Sequence, residues 1–293
     1  MNDDARAVRS VLYIPGDKPR AMDKARGLNA DALIFDLEDA VAVDAKADGR
    51  EGIVAALSQG GFRAMRLVRV NAADTEWADA DLDAILSLPA DALPDAILLP
   101  KVNGADDIAA LARRLDGIDG AGSVAIWAMI ETARGVLNAA SIADAPGMGG
   151  FVVGTNDLAA ELGCRPGQDR MALMTALQLC VLAARAGGIP CIDGVYNAFK
   201  DEDGLRTESA QGRDLGMDGK SLIHPAQVDP VNAVFSPSED EIALARRHIA
   251  AWTEAERDRK GIAVVDGRIV ENLHVAAARG VLARAGLSEG NAS

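Results

Sequence analysis

Eight short apolar runs, separated by alanine-rich amphipathic segments, constrain this chain more than any other feature of its sequence. The runs are Val11–Ile14, Ala32–Phe35, Arg66–Val70, Ala96–Leu99, Val124–Ile130, Phe151–Val153, Ile189–Ile192 and Ser221–Ile223. They are near-continuous rather than alternating, the pattern of strands buried on both faces. Segments such as Ala105–Leu115 and Met171–Ala186 carry helical periodicity between them. Strands alternating with helices form βαβ units and a parallel sheet. Eight such units predict the α/β class, as a (β/α)8 TIM barrel. The 293 residues leave room for an extension beyond a barrel of about 250 residues. No Gly-x-Gly-x-x-Gly follows the first run, which argues against a dinucleotide-binding fold.

After the eighth run the chain changes character. Residues 1–235 are expected to form the catalytic barrel, and residues 236–293 a helix-hairpin-helix extension serving as lid or oligomerisation segment. Ser238 and Glu241 have the spacing of a capping box at the head of a charged helix, about Glu239 to Asp258. Ile262–Val265 and Arg268–Val270 flank Asp266-Gly267, a two-residue hairpin turn. A last helix, about Leu273 to Ala285, follows. Such a segment either plugs the barrel bottom or covers an active site, its own or a neighbour's.

A net charge of −14, from 30 Lys plus Arg against 44 Asp plus Glu, excludes a nucleic-acid or anionic-membrane surface as the main partner. It leaves room for an anionic ligand where basic residues cluster. Cys164, Cys180 and Cys191 show no Cys-x-x-Cys spacing and cannot all pair, so a reducing compartment is expected. The first ten residues lack an apolar signal region, and the most apolar segment, Met174 to Ala184, is too short to span a bilayer. A cytoplasmic protein without membrane contact is the expectation.

In a βα barrel the chemistry sits where strands end and helices begin. Two successive runs end alike here. Phe151–Val153 stops at Gly154 and delivers Thr155, Asn156 and Asp157; Ile126–Ile130 delivers Glu131 and Thr132. Two carboxylates converging on one rim, Glu131 and Asp157, suit a hard divalent cation such as Mg²⁺, with Mn²⁺ as a substitute. Thr132 and Asp157 also suit helix capping, and the sequence leaves that alternative open.

The other strand ends are polar as well. The second gives Asp36, Glu38 and Asp39, the third Arg69 and Asn71, the fourth Lys101, the seventh Asp193, the eighth His224. Charges at so many strand ends are costly unless paired or used. A salt-bridged rim, for instance Arg69 with Asp36, accounts for some of them. Arg69 stands inside an apolar strand, so its guanidinium needs an anion: a neighbouring carboxylate, a substrate carboxylate or a developing enolate oxygen. Asp36, Glu38 and Asp39 are candidates for orienting waters around a metal. Lys18, Arg20, Lys24 and Arg26 form a basic cluster after the first run, a candidate phosphate site or a solvated helix face. His224, ahead of a proline, reads as a structural hydrogen-bonder. No Ser-His-Asp arrangement or Gly-x-Ser-x-Gly is present, and His and Cys are too few for zinc.

Arg9-Ser-Val-Leu-Tyr-Ile-Pro-Gly16, Asp36-Leu-Glu-Asp-Ala-Val41, Val68-Arg-Val-Asn71, Leu99-Pro-Lys-Val102, Ile130-Glu-Thr132, Gly154-Thr-Asn-Asp157 and Gly219-Lys-Ser-Leu-Ile-His-Pro225 occur in this order. The order resembles the citrate lyase β-subunit-like family of citryl-, citramalyl- and malyl-CoA lyases, related to the HpcH/HpaI aldolases. The resemblance runs from about Arg9 to Val275. A narrower likeness, to short malyl-CoA thioesterases, rests on Asp193-Gly-Val-Tyr-Asn-Ala-Phe199 and Val265-Asp-Gly-Arg-Ile-Val-Glu-Asn-Leu-His274.

The resemblance implies a barrel assembling as trimers or hexamers and acting on a CoA thioester. It implies Mg²⁺ bound by Glu131 and Asp157, and Arg69 on the thioester carbonyl. Thr155, Asn156 and Asp157 would hold the substrate carboxylate. Tyr13, Pro15, Lys18, Arg20 and Lys24 would meet CoA. Asp36 and Glu271 would join Arg69 in catalysis, with Glu38 and Asp39 supporting. The lyases carry an aspartate in the C-terminal lid where this chain has Glu271. The added methylene displaces the carboxyl by about an ångström, and misplacement of that order costs roughly 10²-fold. That favours Mg²⁺-dependent hydrolysis of (3S)-malyl-CoA to malate and CoA over carbon–carbon cleavage to glyoxylate or pyruvate plus acetyl-CoA. A citrate lyase β subunit is the further alternative.

Overall fold

The computed structural model describes residues 7–287. Contacts divide them into two compact units, Val8–Phe235 and the segment from Ser236 onward. The first is a closed barrel of eight parallel strands: β1 Ser10–Pro15, β2 Ala32–Asp36, β3 Met65–Arg69, β4 Ala96–Leu99, β5 Ala125–Ile130, β6 Met148–Val153, β7 Cys191–Asp193 and β8 Gly219–Leu222. Helices stand between successive strands, as the alternating pattern requires for a (β/α)8 barrel.

Side chains alternate between the faces of a strand. One row from each of β1 to β7 fills the barrel: Val11, Ala32 and Ile34, Leu67, Ala96 and Leu98, Trp127 and Met129, Val152, Ile192. The other row, including Leu12, Leu33, Phe35, Val68, Ile97, Ala128, Phe151 and Cys191, packs under the helices. Counting two residues up the inward row leads from Val11 to Tyr13, from Ile34 to Asp36, from Leu67 to Arg69, from Met129 to Glu131 and from Val152 to Gly154. The polar residues at the strand ends therefore converge because the apolar rows below them do. Register adds lateral order, with Pro15 beside Asp36 and Asp36 beside Arg69.

Some strand limits differ from the sequence expectation, each for a packing reason. β6 begins at Met148, ahead of the expected run Phe151–Val153, and passes through Gly149 and Gly150. Both lie under the Trp127 indole, where an added Cβ would come within 2.7–2.9 Å of the ring or of the Ala125 side chain. β8 starts at Gly219 and includes the fully buried Lys220. A lysine is a poor strand signal, and the burial is tolerable because its ammonium meets the carboxylates of Asp193 and Glu208 and the Gly194 carbonyl. The segment after β5 forms two short helices, Ala133–Leu137 and Ala139–Ala143, separated at Asn138.

In the second unit, Ser238 and Glu241 form the capping box of helix Glu239–Arg257. β9 Ala263–Val265 pairs antiparallel with β10 Arg268–Val270. Asp266 and Gly267 both have positive φ, 52° and 75°, as a type I′ turn demands. Helix Asn272–Arg284 packs on the first helix through Ala245, Ala278 and Leu282. No described helix is long and apolar enough to cross a membrane. The three cysteines are free.

Candidate active site

At the strand ends a cavity of about 270 Å³ is lined by Tyr13, Asp36, Asp39, Arg69, Thr155, Asn156 and Asp157, together with Met129, Gly154 and Asn197. Arg69 is the hub. Its Nε and Nη2 donate to the two oxygens of Asp36 at 2.7 and 2.6 Å. Nη1 lies 2.8 Å from Glu38 Oε2 and 3.7 Å from Asp39 Oδ2. The guanidinium also stacks over the Tyr13 ring, 4.9 Å from its centre. Burial opposes its charge, but Tyr13, Asp36 and Glu38 hold its proton well beyond the usual arginine range.

Asp36 accepts two further bonds, from the backbone N–H groups of Glu38 and Ala40. Its oxygens are thus committed to Arg69 and to its own turn. The buried Lys46 stiffens that turn from behind, donating to the carbonyls of Leu37 and Glu38 at 2.7 Å each.

Glu131 is buried. Its Oε1 accepts the Lys101 backbone N–H at 2.7 Å, and its Oε2 is buried without a hydrogen-bond partner. Burial, with Glu38 and Asp157 nearby, pushes its pKa up to about 7. Gly154 makes room for this carboxylate, since a Cβ there would overlap Glu131 Oε2. Asp157 is half exposed in the first turn of helix Thr155–Leu162, whose N-cap is Gly154. It does not cap that helix. Thr132 does cap its own, accepting from Gly135 N–H at 2.9 Å.

An orphaned, buried carboxylate oxygen with elevated pKa, close to a second acidic group, fits a divalent cation. Among the described residues no set of three or more His, Cys, Asp or Glu side chains forms a ready-made cage. Two carboxylates leave the remaining positions to ligand and water, the usual arrangement for Mg²⁺.

Lys101 joins the acidic groups. Beyond its N–H bond to Glu131, its Nζ donates to Glu38 Oε1 at 2.9 Å and stands 3.8 Å from Asp157 Oδ1. Its φ is 52°, a left-handed conformation that a lysine seldom adopts. The sequence showed Lys101 at a strand end but nothing of this backbone role. Asn197 was missed as well; its amide exchanges hydrogen bonds with that of Asn156 at 2.9 and 3.3 Å.

The other singled-out residues of the barrel do not line this cavity. Pro15 ends β1, and Lys18, Arg20 and Lys24 are exposed on the following loop and helix Pro19–Ala25, with Lys18 paired to Asp17. Arg26 is structural: it donates to the Gly60 carbonyl and covers the Phe62 ring. His224 stacks on Phe199, and its Nδ1 accepts from Ala226 N–H. Asp193 is fully buried between Arg170 and Lys220, at 2.7 and 3.0 Å. Glu271 is exposed in the second unit, at the N-terminus of helix Asn272–Arg284.

Residues 9–225 match the family described as HpcH/HpaI aldolase/citrate lyase. The chain is 56% identical to the (3S)-malyl-CoA thioesterase of Cereibacter sphaeroides over 97% of each chain. It is 34% identical to citrate lyase subunit beta of Escherichia coli, over 97% of this chain and 95% of that one. The protein CitE from Mycobacterium tuberculosis, solved in complex with magnesium, acetoacetate and coenzyme A, superposes with a TM-score of 0.79 at 30% identity, covering 96% of this chain and 98% of that one. Barrel, strand-end carboxylates and sequence agree in one assignment: the chain belongs to the HpcH/HpaI aldolase/citrate lyase family.

Proposed function

We propose that this protein is a Mg²⁺-dependent (3S)-malyl-CoA thioesterase, hydrolysing malyl-CoA to malate and CoA. The observation that carries this reading is the 56% identity, over nearly the whole of both chains, to relatives of that activity.

Glu131 and Asp157 would hold the cation, with Mn²⁺ as a substitute. A divalent ion there supplies a Lewis acid for the malyl carboxylate and hydroxyl. The turn Thr155–Asp157 opens a helix, and its backbone N–H groups would receive the same carboxylate. Arg69 polarises the thioester carbonyl. Asp36, with both oxygens occupied, acts by fixing the guanidinium, and Glu38 and Asp39 complete its surroundings. Pro15, beside the site, and the exposed Lys18, Arg20 and Lys24 would receive the CoA arm and its phosphates. Glu271 would accept the proton of the attacking water. In this reading the protein is a cytoplasmic homo-oligomer, trimer or hexamer, in which residues 236–293 cover an active site.

Carbon–carbon cleavage shares the same bound substrate, and the 34% identity to citrate lyase β subunits makes it the second reading. Purified protein incubated with (3S)-malyl-CoA and Mg²⁺ decides between them. Free thiol without glyoxylate supports the thioesterase. Glyoxylate with acetyl-CoA establishes the lyase instead. No product of either kind, with EDTA making no difference, overturns the malyl-CoA assignment.

A further inference from the structure

Tyr13 stands on the inward row of β1 and lines the cavity. The hydrogen-bond partner of its hydroxyl is the Met129 sulfur, 3.7 Å away. Tyr13 is partly buried, and a thioether is a weak acceptor where a tyrosine hydroxyl ordinarily finds a better one. Packing does not account for the hydroxyl, because phenylalanine would fill the same ring volume without it. Arg69 Nη1 approaches the same sulfur at 3.4 Å. Two donors therefore aim at one point on the cavity wall. The group occupying that point is unbranched, polarizable and able to move aside.

We propose that Tyr13 is a second electrophilic residue of the active site, its hydroxyl donating alongside Arg69 to the thioester carbonyl oxygen where Met129 Sδ now accepts. This role rests on the reading of the protein as a CoA-thioester enzyme. Burial pushes ionisation of the hydroxyl upward; Arg69 opposes this, while Asp36, Glu131 and Glu38 add to it. Tyr13 therefore keeps its proton near neutral pH. During hydrolysis a water oxygen bonds to the carbonyl carbon, the water's proton passes to a carboxylate, and the π pair moves onto the carbonyl oxygen. That pair then returns, the carbon–sulfur bond breaks, and the CoA thiolate leaves and takes up a proton. Tyr13 transfers no proton in this sequence. Its hydrogen bond strengthens as the oxygen gains charge, which is the condition for lowering the barrier rather than merely binding substrate. A neutral donor also adds no charge to a cavity whose one guanidinium is already matched by Asp36 and Glu38.

The test is Tyr13→Phe in the full-length protein with Mg²⁺, read two ways. Turnover of malyl-CoA should fall about 10²-fold in kcat, the scale of losing one such donor, with KM little changed. The carbonyl stretch of bound acetyl-CoA, measured by infrared difference spectroscopy, should lie lower in the wild type than in Tyr13→Phe. Equal kcat values, or equal carbonyl frequencies, overturn the proposal. A variant that loses kcat together with thermal stability and acetyl-CoA binding also overturns it, in favour of a packing role. If the wild type fails to turn over malyl-CoA while the acetyl-CoA carbonyl still responds to Tyr13, the acyl assignment falls and the role of Tyr13 stands.

Discussion

The backbone N–H of Lys101 donates to Glu131 Oε1, and this one bond decides which oxygen of Glu131 is left over. The bond needs Lys101 at positive φ, and the other oxygen stays buried and unpartnered. The result is a carboxylate oriented for a ligand that the protein itself does not provide.

Glu131 should therefore make the metal-free protein less stable as pH rises. Its folded pKa of about 7 exceeds the ordinary value of 4.5. Between these values the folded state retains a proton that the unfolded state has released. Unfolding stability then falls from pH 4.5 to about 7 and levels off above, by about 3 kcal/mol in total. Mg²⁺ binds the deprotonated form, so its affinity should climb toward pH 7 and then plateau. Thermal melts in EDTA and in Mg²⁺ from pH 5.5 to 8.5 measure both effects. Glu131→Gln should flatten the EDTA curve and abolish the Mg²⁺ shift; a variant that keeps the slope would show that another group is titrating.

Arg69→Lys should keep most of the fold and lose most of the activity. Lysine retains the positive charge but lacks the planar fork that meets both oxygens of Asp36 while still reaching Glu38. Arg69→Ala should be worse in another way. It leaves the buried Asp36 without a countercharge and Glu38 with Lys101 alone, at a cost of about 3–5 kcal/mol. Urea denaturation beside steady-state kinetics separates the two. Equal stability for lysine and alanine variants would mean that the ion pairs contribute little.

Much of this arrangement is legible in the sequence because it follows from alternation. Inward apolar residues at Ile34, Leu67 and Met129 carry the rows on to Asp36, Arg69 and Glu131, so runs that mark the barrel also mark its polar rim. Features set by backbone conformation or by contacts distant in the chain are not legible in this way. Nothing in Leu99-Pro-Lys-Val102 announces that Lys101 turns left-handed. Gly149 and Gly150 fall outside the apolar run Phe151–Val153, and the Trp127 ring that covers them comes from the neighbouring strand. Lys220 looks like a loop residue until Asp193, 27 positions earlier, is placed beside it.

Gly154→Ala tests the space reserved for Glu131. The added methyl would meet the Glu131 carboxylate, which cannot retreat while Lys101 holds its other oxygen. Overpacking of this kind costs about 1–3 kcal/mol. The expected outcome is a moderate loss of thermal stability together with a loss of Mg²⁺ binding by calorimetry. Unchanged Mg²⁺ affinity would place the cation away from Glu131 Oε2.

Asp193 should govern resistance to acid. Burial alone would raise its pKa, but Lys220 and Arg170 outweigh burial and lower it. A carboxylate with a depressed folded pKa contributes stability above its unfolded value, near 3.8, and loses that contribution as pH falls through the folded value. Lys220 also donates to the Gly194 carbonyl at 2.6 Å and to Glu208 at 2.7 Å, so the ammonium ties the end of β7 to the helix Glu202–Leu215 that follows it. Lys220→Met fills the same space without the charge. It leaves Asp193 with Arg170 alone, and breaking a buried pair in this way costs about 3–5 kcal/mol. The variant should unfold at lower urea concentration at neutral pH and at a higher pH during acid titration. Because Val195 and Asn197 of the following loop line the cavity, kcat should also fall while the Mg²⁺ melt shift persists. An acid midpoint identical to that of the wild type would assign acid stability to other carboxylates and reduce Lys220 to filling space.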